Sequence, residues 1–331
     1  MTGSVKDLLL DLPEPDAAAR AAVEQRAARV LRPSGALARL DAVAAWLASW
    51  QRTDRPAVQR PAALVFVGDH GVATEGVSAY PAGVTAAMYE ALDAGAATAA
   101  VFARHLGVEL RVIDVGVGHP TGNLLHESAL RRGRFDESFH AGRAAVAALD
   151  TDLLVLGEMG IGNTTAASAV CAAIFGMTAE DWTGRGTGLD DASYAYKVDV
   201  VERARTRVGD VTPLAALREL GGSELVAMAG AALEARRSSV PVVLDGFVVT
   251  AALAVLEAAR PGALDHCIAG HRSTEPGHRL LLEKLGKDPL LELDLRLGEG
   301  SGALLAVPLI ALAARAVTDV ATFEEWGLQV P

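Results

Sequence analysis

The sequence is short of cysteine, of aromatic residues and of positive charge. Cys171 and Cys267 are the two cysteines in 331 residues, both inside apolar runs. They read as small buried side chains rather than a disulfide or a metal pair. Aromatic residues make up 5% of the chain against 51% hydrophobic residues, so the core is expected to consist of Ala, Val and Leu. Thirty Lys and Arg stand against 41 Asp and Glu, a net charge of −11. That balance argues against nucleic acid or an anionic membrane as the main partner. It leaves room for a small phosphorylated ligand, since one cationic side chain and a helix end suffice to hold it. The first residues lack a basic start and a long apolar stretch, so no signal peptide is expected. The longest apolar run near the end, 303–314, contains Pro308 and is short for a bilayer span. The expectation is a soluble cytoplasmic protein.

Several well-known motifs are missing as well. The glycines at 157, 160 and 162 match neither G-x-G-x-x-G nor G-x-x-x-x-G-K-[ST], which disfavours dinucleotide and P-loop readings. The eight histidines contain no H-x-x-x-H pair, and His271 and His278 are seven apart, so no metal site emerges. Asp69-His70 invites a nucleophile triad. Yet no G-x-S-x-G elbow exists, and Ser301 in GEGSG has its first glycine one place early.

What is present is organised around residues 152–165, DLLVLGEMGIGNTT. The apolar run 153–156 reads as a strand buried on both faces. Gly157, Gly160 and Gly162 follow, then Asn163-Thr164-Thr165 and an alanine-rich run to Gly176. This predicts strand, glycine turn and helix start, with Asn163 or Thr164 as the cap. Such a turn brings backbone N–H groups close to a ligand, and the helix N-terminus favours an anion. Glu158 repels phosphate, so it is expected to face a hydroxyl or a cationic ring.

The rest of the chain fits around that unit. Helices are predicted over 16–31 and 35–50, followed by a linker at 51–61. Strands are then expected at 63–67, 110–115, 240–244 and 264–269, with an extended piece at 290–297. Helices are expected at 81–105, 137–149, 192–208, 212–220, 223–236, 246–259, 276–285 and 301–317. Strands alternating with helices imply βαβ units and a parallel sheet, whose ligands bind outside the carboxyl ends of the strands. Five polar or glycine-rich segments gather at that edge: Asp69-His70-Gly71, 158–165, Asp245-Gly246, 270–278 and 298–302. Glu299, flanked by glycines before an apolar helix, is the candidate general base, because burial raises a carboxyl pKa toward neutrality. Arg296 is placed to hold phosphate or to pair with Glu299, and Ser273 to donate to phosphate. Lys197 has the reach for an anion but also fits a solvated helix face. Asp245 suits a ligand hydroxyl or a helix cap.

The segments GDHGVATEGVSAYPAGVT (68–85), GEMGIGNTTAAS (157–168), YKVDVV (196–201), LDGFVVTAAL (244–253), GHRSTEPGHR (270–279) and RLGEGSGALLAVPL (296–309) form an ordered set. Together with PSGALARL at 33–40, this set resembles the nicotinate-nucleotide–dimethylbenzimidazole phosphoribosyltransferases of cobamide lower-ligand assembly. The resemblance runs from about residue 30 to the C-terminus. It implies an α/β fold with a parallel Rossmann-like sheet over 61–300, and a smaller helical domain made from 1–60 and 301–331. It implies a homodimer as well.

The implied reaction moves phosphoribose from nicotinate mononucleotide to a benzimidazole nitrogen, giving α-ribazole 5′-phosphate and nicotinate, with no metal or redox cofactor. By matching motif, Glu299 looks like the general base. Glu158, Gly160, Asn163 and Thr164 look like nucleotide-site residues, with Lys197, Asp245, Ser273 and Arg296 around ribose and phosphate. Tyr80 and Met88 fall by position in the acceptor pocket. The segment 116–135, GVGHPTGNLLHESALRRGRF, departs from the family's G-[TS]-x-N and Pro-Ala-Met pattern. A purine or phenolic acceptor is therefore kept beside benzimidazole. A non-catalytic nucleotide- or ribazole-binding sensor on the same fold is the alternative reading.

Overall fold

Five apolar runs become one parallel sheet in the computed structural model, which describes residues 5–186 and 188–329. Positions 1–4, 187, 330 and 331, which fall in the predicted chain-end segments and the 183–191 loop, lie outside the described residues. Helices α1 (Val5–Leu10), α2 (Ala17–Ala27) and α3 (Ala38–Gln51) precede strand β1 (Pro61–Gly68). A 3-10 turn (Gly71–Glu75), α4 (Val84–Asp93) and α5 (Thr98–Leu106) lead to β2 (Glu109–Gly116). Then come α6 (Arg132–Ala147), β3 (Leu153–Met159), α7 (Asn163–Phe175), α8 (Ala179–Trp182) and α9 (Asp191–Val208). Helices α10 (Pro213–Leu220) and α11 (Ser223–Arg237) separate these from β4 (Val242–Leu244), α12 (Phe247–Ala259) and β5 (Cys267–Ala269). A two-residue ladder of β6 (His271–Arg272) and β7 (Leu291–Glu292) brackets α13 (Pro276–Leu285), and α14 (Ser301–Thr318) closes the chain.

The strand order is β2-β1-β3-β4-β5, with every pair parallel. This is a doubly wound arrangement whose direction of growth reverses between β1 and β3, the place where such sheets open a crevice. Alternation along the strands divides the core in two. Leu64, Phe66, Leu154 and Leu156 face a layer that includes α7, α11 and α12. Ala63, Val65, Val67, Leu153 and Val155 face α3, α5 and α14. Cys171 and Cys267 are buried and unpaired.

Several elements differ from expectation. The helix predicted over 81–105 is two, because Gly95 at φ 77° turns the chain after α4. Helix α6 begins at Arg132, five residues before the predicted start, since its first turns are polar and exposed rather than irregular. The strand at 264–269 shrinks to three residues, and the extended piece at 290–297 pairs only at Leu291–Glu292. Helix α8, unforeseen, is set by a capping box between Thr178 and Asp181. Helix α14 is longer than the apolar run suggested: its 18 residues are long and apolar enough for a membrane by composition. They pack instead against α3, α5 and β3, burying Ala303, Leu304, Ala306, Val307 and Ile310. The chain ends meet as well. Val30 bridges Thr322, and Arg26 Nε donates to the Val317 carbonyl at 2.8 Å.

Candidate active site

A cleft of about 780 Å³, its open mouth included, lies at the carboxyl ends of the strands. Its walls come from the segments after β1 (Val77, Ser78), β3 (Glu158–Thr164 region), β4 (Gly246–Val248 region) and β5 (His271, Ser273, Glu275), and from Arg296–Gly298. The five segments predicted at one edge therefore do assemble there, although of the first only its continuation, and not Asp69-His70, lines the cleft.

The glycine turn after β3 works differently from the cap foreseen for it. Gly162, at φ 97°, takes the N-cap position of α7, and no side chain caps the helix. Asn163 is the first helical residue; its amide donates to Glu158 Oε2. Thr164 accepts from Lys197 Nζ at 2.9 Å. The α7 N-terminus is left facing the cleft, as is that of α12, whose N-cap Gly246 also lacks a side-chain partner. Gly160 must be small: a Cβ there would lie 2.5 Å from the Gly68 carbonyl, beside the buried His70–Glu224 pair.

Lys197 is fully buried, not a solvated helix residue. Its ammonium spends two of three N–H bonds on Thr164 Oγ1 and the Gly184 carbonyl, at 2.9 and 3.0 Å. Burial lowers its pKa to about 8, partly opposed by the nearby Glu275 carboxylate. Gly186 and Glu275, which sequence reasoning missed as site residues, complete this wall, with Gly186 N donating to Glu275 Oε1 at 3.0 Å. The three glycines of TGRGTG were the available signal.

A second part of the lining is acidic. Glu158 lines the cleft, buried, with its pKa raised to about 8 by loss of water and then by the charges of Asp245 and Glu224. Gly298 lies flat on it, so that a Cβ at 298 would sit 2.9 Å from Glu158 Oε1. Behind this, Gly298, Glu299 and Gly300 are all left-handed, at φ 88°, 63° and 80°. Glu299 is a non-glycine residue in that region, held by its N–H bond to the Glu158 carbonyl at 3.1 Å.

Two of the candidate residues stand back from the cleft. The Glu299 side chain is not among the cleft-lining groups; its Oε2 accepts from Ala99 N, in the first turn of α5, at 3.2 Å. Its other oxygen has no hydrogen-bond partner among the described residues, and burial raises its pKa. Asp245 is also withdrawn from the cleft: it caps α14, accepting from Gly300 N at 3.1 Å and Ala303 N at 2.9 Å. His271 Nε2 stands 3.1 Å from Asp245 Oδ1 without hydrogen-bond alignment, against Gly302, where a Cβ would strike the ring at 2.2 Å.

Ser273 lines the cleft next to the α12 N-terminus, and Arg296 stands exposed at the mouth with no ion-pair partner among the described residues. Tyr80 and Met88 are not part of the cleft. Tyr80 is 53% exposed, and Met88 packs into the apolar layer beneath α4 because it sits on that helix's inner side. The same segment instead contributes Val77 and Ser78.

A family model described as Phosphoribosyltransferase matches residues 12–328, which includes every cleft-lining segment. The chain belongs to this phosphoribosyltransferase family. It is 47% identical over 328 residues to the nicotinate-nucleotide–dimethylbenzimidazole phosphoribosyltransferase of Sinorhizobium fredii, covering 98% of this chain and 96% of that protein. The protein of the same name from Methylorubrum extorquens is 46% identical over 319 residues, 96% of this chain and 93% of that one. The crystal structure of CobT from Thermus thermophilus superposes with a TM-score of 0.90 at 42% identity, over 94% of this chain and 99% of that one. The phosphoribosyltransferase fold is thus shared along nearly the whole chain.

Proposed function

We propose that this phosphoribosyltransferase transfers the 5-phosphoribosyl group of nicotinate mononucleotide to 5,6-dimethylbenzimidazole, or to a related azole or phenol. The products are α-ribazole 5′-phosphate and nicotinate, for cobamide (vitamin B12) lower-ligand assembly. One observation carries this reading: a single cleft is lined by Lys197, Arg296 and the α7 and α12 N-termini together with the buried carboxyl of Glu158. The cationic groups and helix ends suit a phosphate, and the Glu158 carboxyl a sugar hydroxyl.

In nicotinate mononucleotide the glycosidic nitrogen is quaternary, so nicotinate leaves with the bonding electron pair as a neutral pyridine and needs no acid. One acceptor nitrogen attacks the sugar carbon from the opposite face, which turns the β-linkage into an α-linkage. The proton on the acceptor's other nitrogen passes to a carboxylate. Glu299 takes that role by motif, its raised pKa suiting a base near neutrality. Glu158, held mostly protonated near neutrality by its burial, faces the sugar and hydrogen-bonds its hydroxyls. Gly160, Asn163 and Thr164 shape the nucleotide side, Ser273 and Arg296 bind phosphate, and Asp245 sets the GEGSG turn rather than touching ribose. Incubation with nicotinate mononucleotide and a panel of azole, purine and phenol acceptors, followed by chromatography, tests this. Mononucleotide binding without product on any acceptor would favour a nucleotide sensor.

We further propose that residues 1–60 and 301–331 form a small helical domain on a 61–300 α/β domain. The contacts of α2 with α3 and of α3 with α14 support it, as does the apolar cluster of Val23, Ala44, Ala45, Ala48 and Val317. A cytoplasmic homodimer with no nucleic-acid or membrane partner completes the reading; the −11 charge supports the absence of nucleic-acid and anionic-membrane partners. Light scattering that returns a monomer would remove the dimer.

A further inference from the structure

Ser273 and His278 meet in an arrangement whose proton positions follow from the donors around them. His278, in the first turn of α13, is fully buried. Its Nδ1 lies 3.0 Å from the Ser273 backbone N and 3.0 Å from Ser273 Oγ, and its Nε2 lies 3.1 Å from Thr250 Oγ1. A backbone N–H can only donate, so Nδ1 presents its lone pair and the ring proton sits on Nε2. Nε2–H then donates to Thr250 Oγ1, whose own proton goes to the Gly246 carbonyl at 2.9 Å. Donation runs one way, from Ser273 N through His278 and Thr250 to Gly246.

We infer that His278 is a positioning residue: as the neutral Nε2–H tautomer it takes the Ser273 backbone N–H and leaves the Ser273 hydroxyl proton for an anionic oxygen in the cleft. An imidazole nitrogen has one in-plane lone pair, and here the backbone donor occupies it. The hydroxyl proton therefore gains an unshared acceptor only from a bound ligand. Gly246, where the relay ends, is the N-cap of α12, and a Cβ built on it would lie 3.9 Å from Ser273 Oγ. The relay thus holds the serine hydroxyl beside a helix N-terminus, two donors converging on one anion. Burial, reinforced by the neighbouring His271, lowers the His278 pKa to about 3, so no protonated form reverses the chain near neutrality.

The inference rests on the proposed function in taking the anion to be the mononucleotide 5′-phosphate, and the experiment separates the two. Nitrogen-15 NMR of the full-length protein reads the tautomer directly. An Nε2–H signal for His278, unchanged between about pH 5 and pH 8, is expected whatever reaction is catalysed. An Nδ1–H form or a titration in that range would overturn the inference even in an active enzyme. Kinetics then test the consequence. Ser273→Ala and His278→Leu should each raise KM for nicotinate mononucleotide roughly tenfold, the usual worth of a hydrogen bond to a charged group, with acceptor KM unchanged. Because they act through one hydroxyl, the double variant should be no worse than either single variant. His278→Asn keeps an acceptor near the Nδ1 position and should recover most of the loss. Additive effects, or an equal rise in both Michaelis constants, would reduce His278 to a packing residue. Inorganic phosphate binding by calorimetry gives the same comparison if no turnover is found, and the nitrogen-15 reading of the tautomer decides should His278→Leu fail to fold.

Discussion

Lys197 Nζ and Thr164 Oγ1 are joined at 2.9 Å, which fixes a lysine of α9 at the first turn of α7. The ammonium is buried, gives two of its three N–H bonds to protein oxygens, and has its pKa lowered by burial to about 8. An anion binds its protonated form, so affinity for nicotinate mononucleotide should be flat below about pH 7. It should weaken by up to about tenfold per pH unit above about pH 8. Lys197→Gln should lower affinity throughout and remove that alkaline limb. An unchanged limb in the variant would assign it to another group.

Glu158 should make the protein less stable as pH rises. Burial, Asp245 and Glu224 raise its carboxyl from 4.5 to about 8 in the folded state. Folding therefore favours the protonated acid. Its stabilising contribution is whole below about pH 4.5 and is lost as pH climbs through about 8. Glu158→Gln keeps an acceptor for Asn163 and should raise the melting temperature by several degrees near pH 9, but hardly at all near pH 5. Equal shifts at both values would contradict this assignment.

Glu299→Gln keeps the acceptor for Ala99 N–H, so the fold should persist. If Glu299 is the base, kcat should drop by roughly two to four orders of magnitude with mononucleotide affinity nearly unchanged. An acceptor already deprotonated at assay pH should regain part of the rate. Near-normal turnover would transfer the role to Glu158, the carboxylate that lines the cleft.

Arg296 is exposed and makes no ion pair among the described residues, so Arg296→Ala should leave stability within about 0.5 kcal/mol of wild type. The Michaelis constant for nicotinate mononucleotide should rise several-fold more than that for the acceptor. Equal rises would take Arg296 out of the phosphate site.

Val77 and Met88 should separate in an acceptor panel. Val77 lines the cleft, and Val77→Ala should reorder the preferred acceptors. Met88→Ala should cost about 1–2 kcal/mol of stability, as a half-buried packing residue, and leave the ranking alone. A ranking that follows Met88 instead would restore it to the acceptor pocket.

What could be read from the sequence was local or periodic. The run 153–156 is apolar because both faces of β3 are covered, and the helix start near 16 is legible because Asp16 caps it through bonds that reach only Ala18 and Ala19. Five loops collected at one edge because parallel strands all end there. Contacts set by tertiary packing were not legible. Asp245 serves residues 300 and 303, Glu299 serves residue 99, and Lys197 is buried by loop residues that carry no periodic signal. The side-chain direction of Met88 was equally hidden, since a helix position tells period but not which layer lies beneath it.

The turn at 298–300 closes the cleft from the far end of the chain. Gly157 fits under it so closely that a Cβ would touch Gly300 N at 2.5 Å, and Asp245 binds only once α14 has arrived. A nascent chain halted before this turn already carries the β3 glycines, Glu158, Lys197 and Ser273, yet nothing covers Glu158 where Gly298 belongs. The cleft is therefore complete only when α14 packs against β3, a strand made more than a hundred residues earlier in the chain.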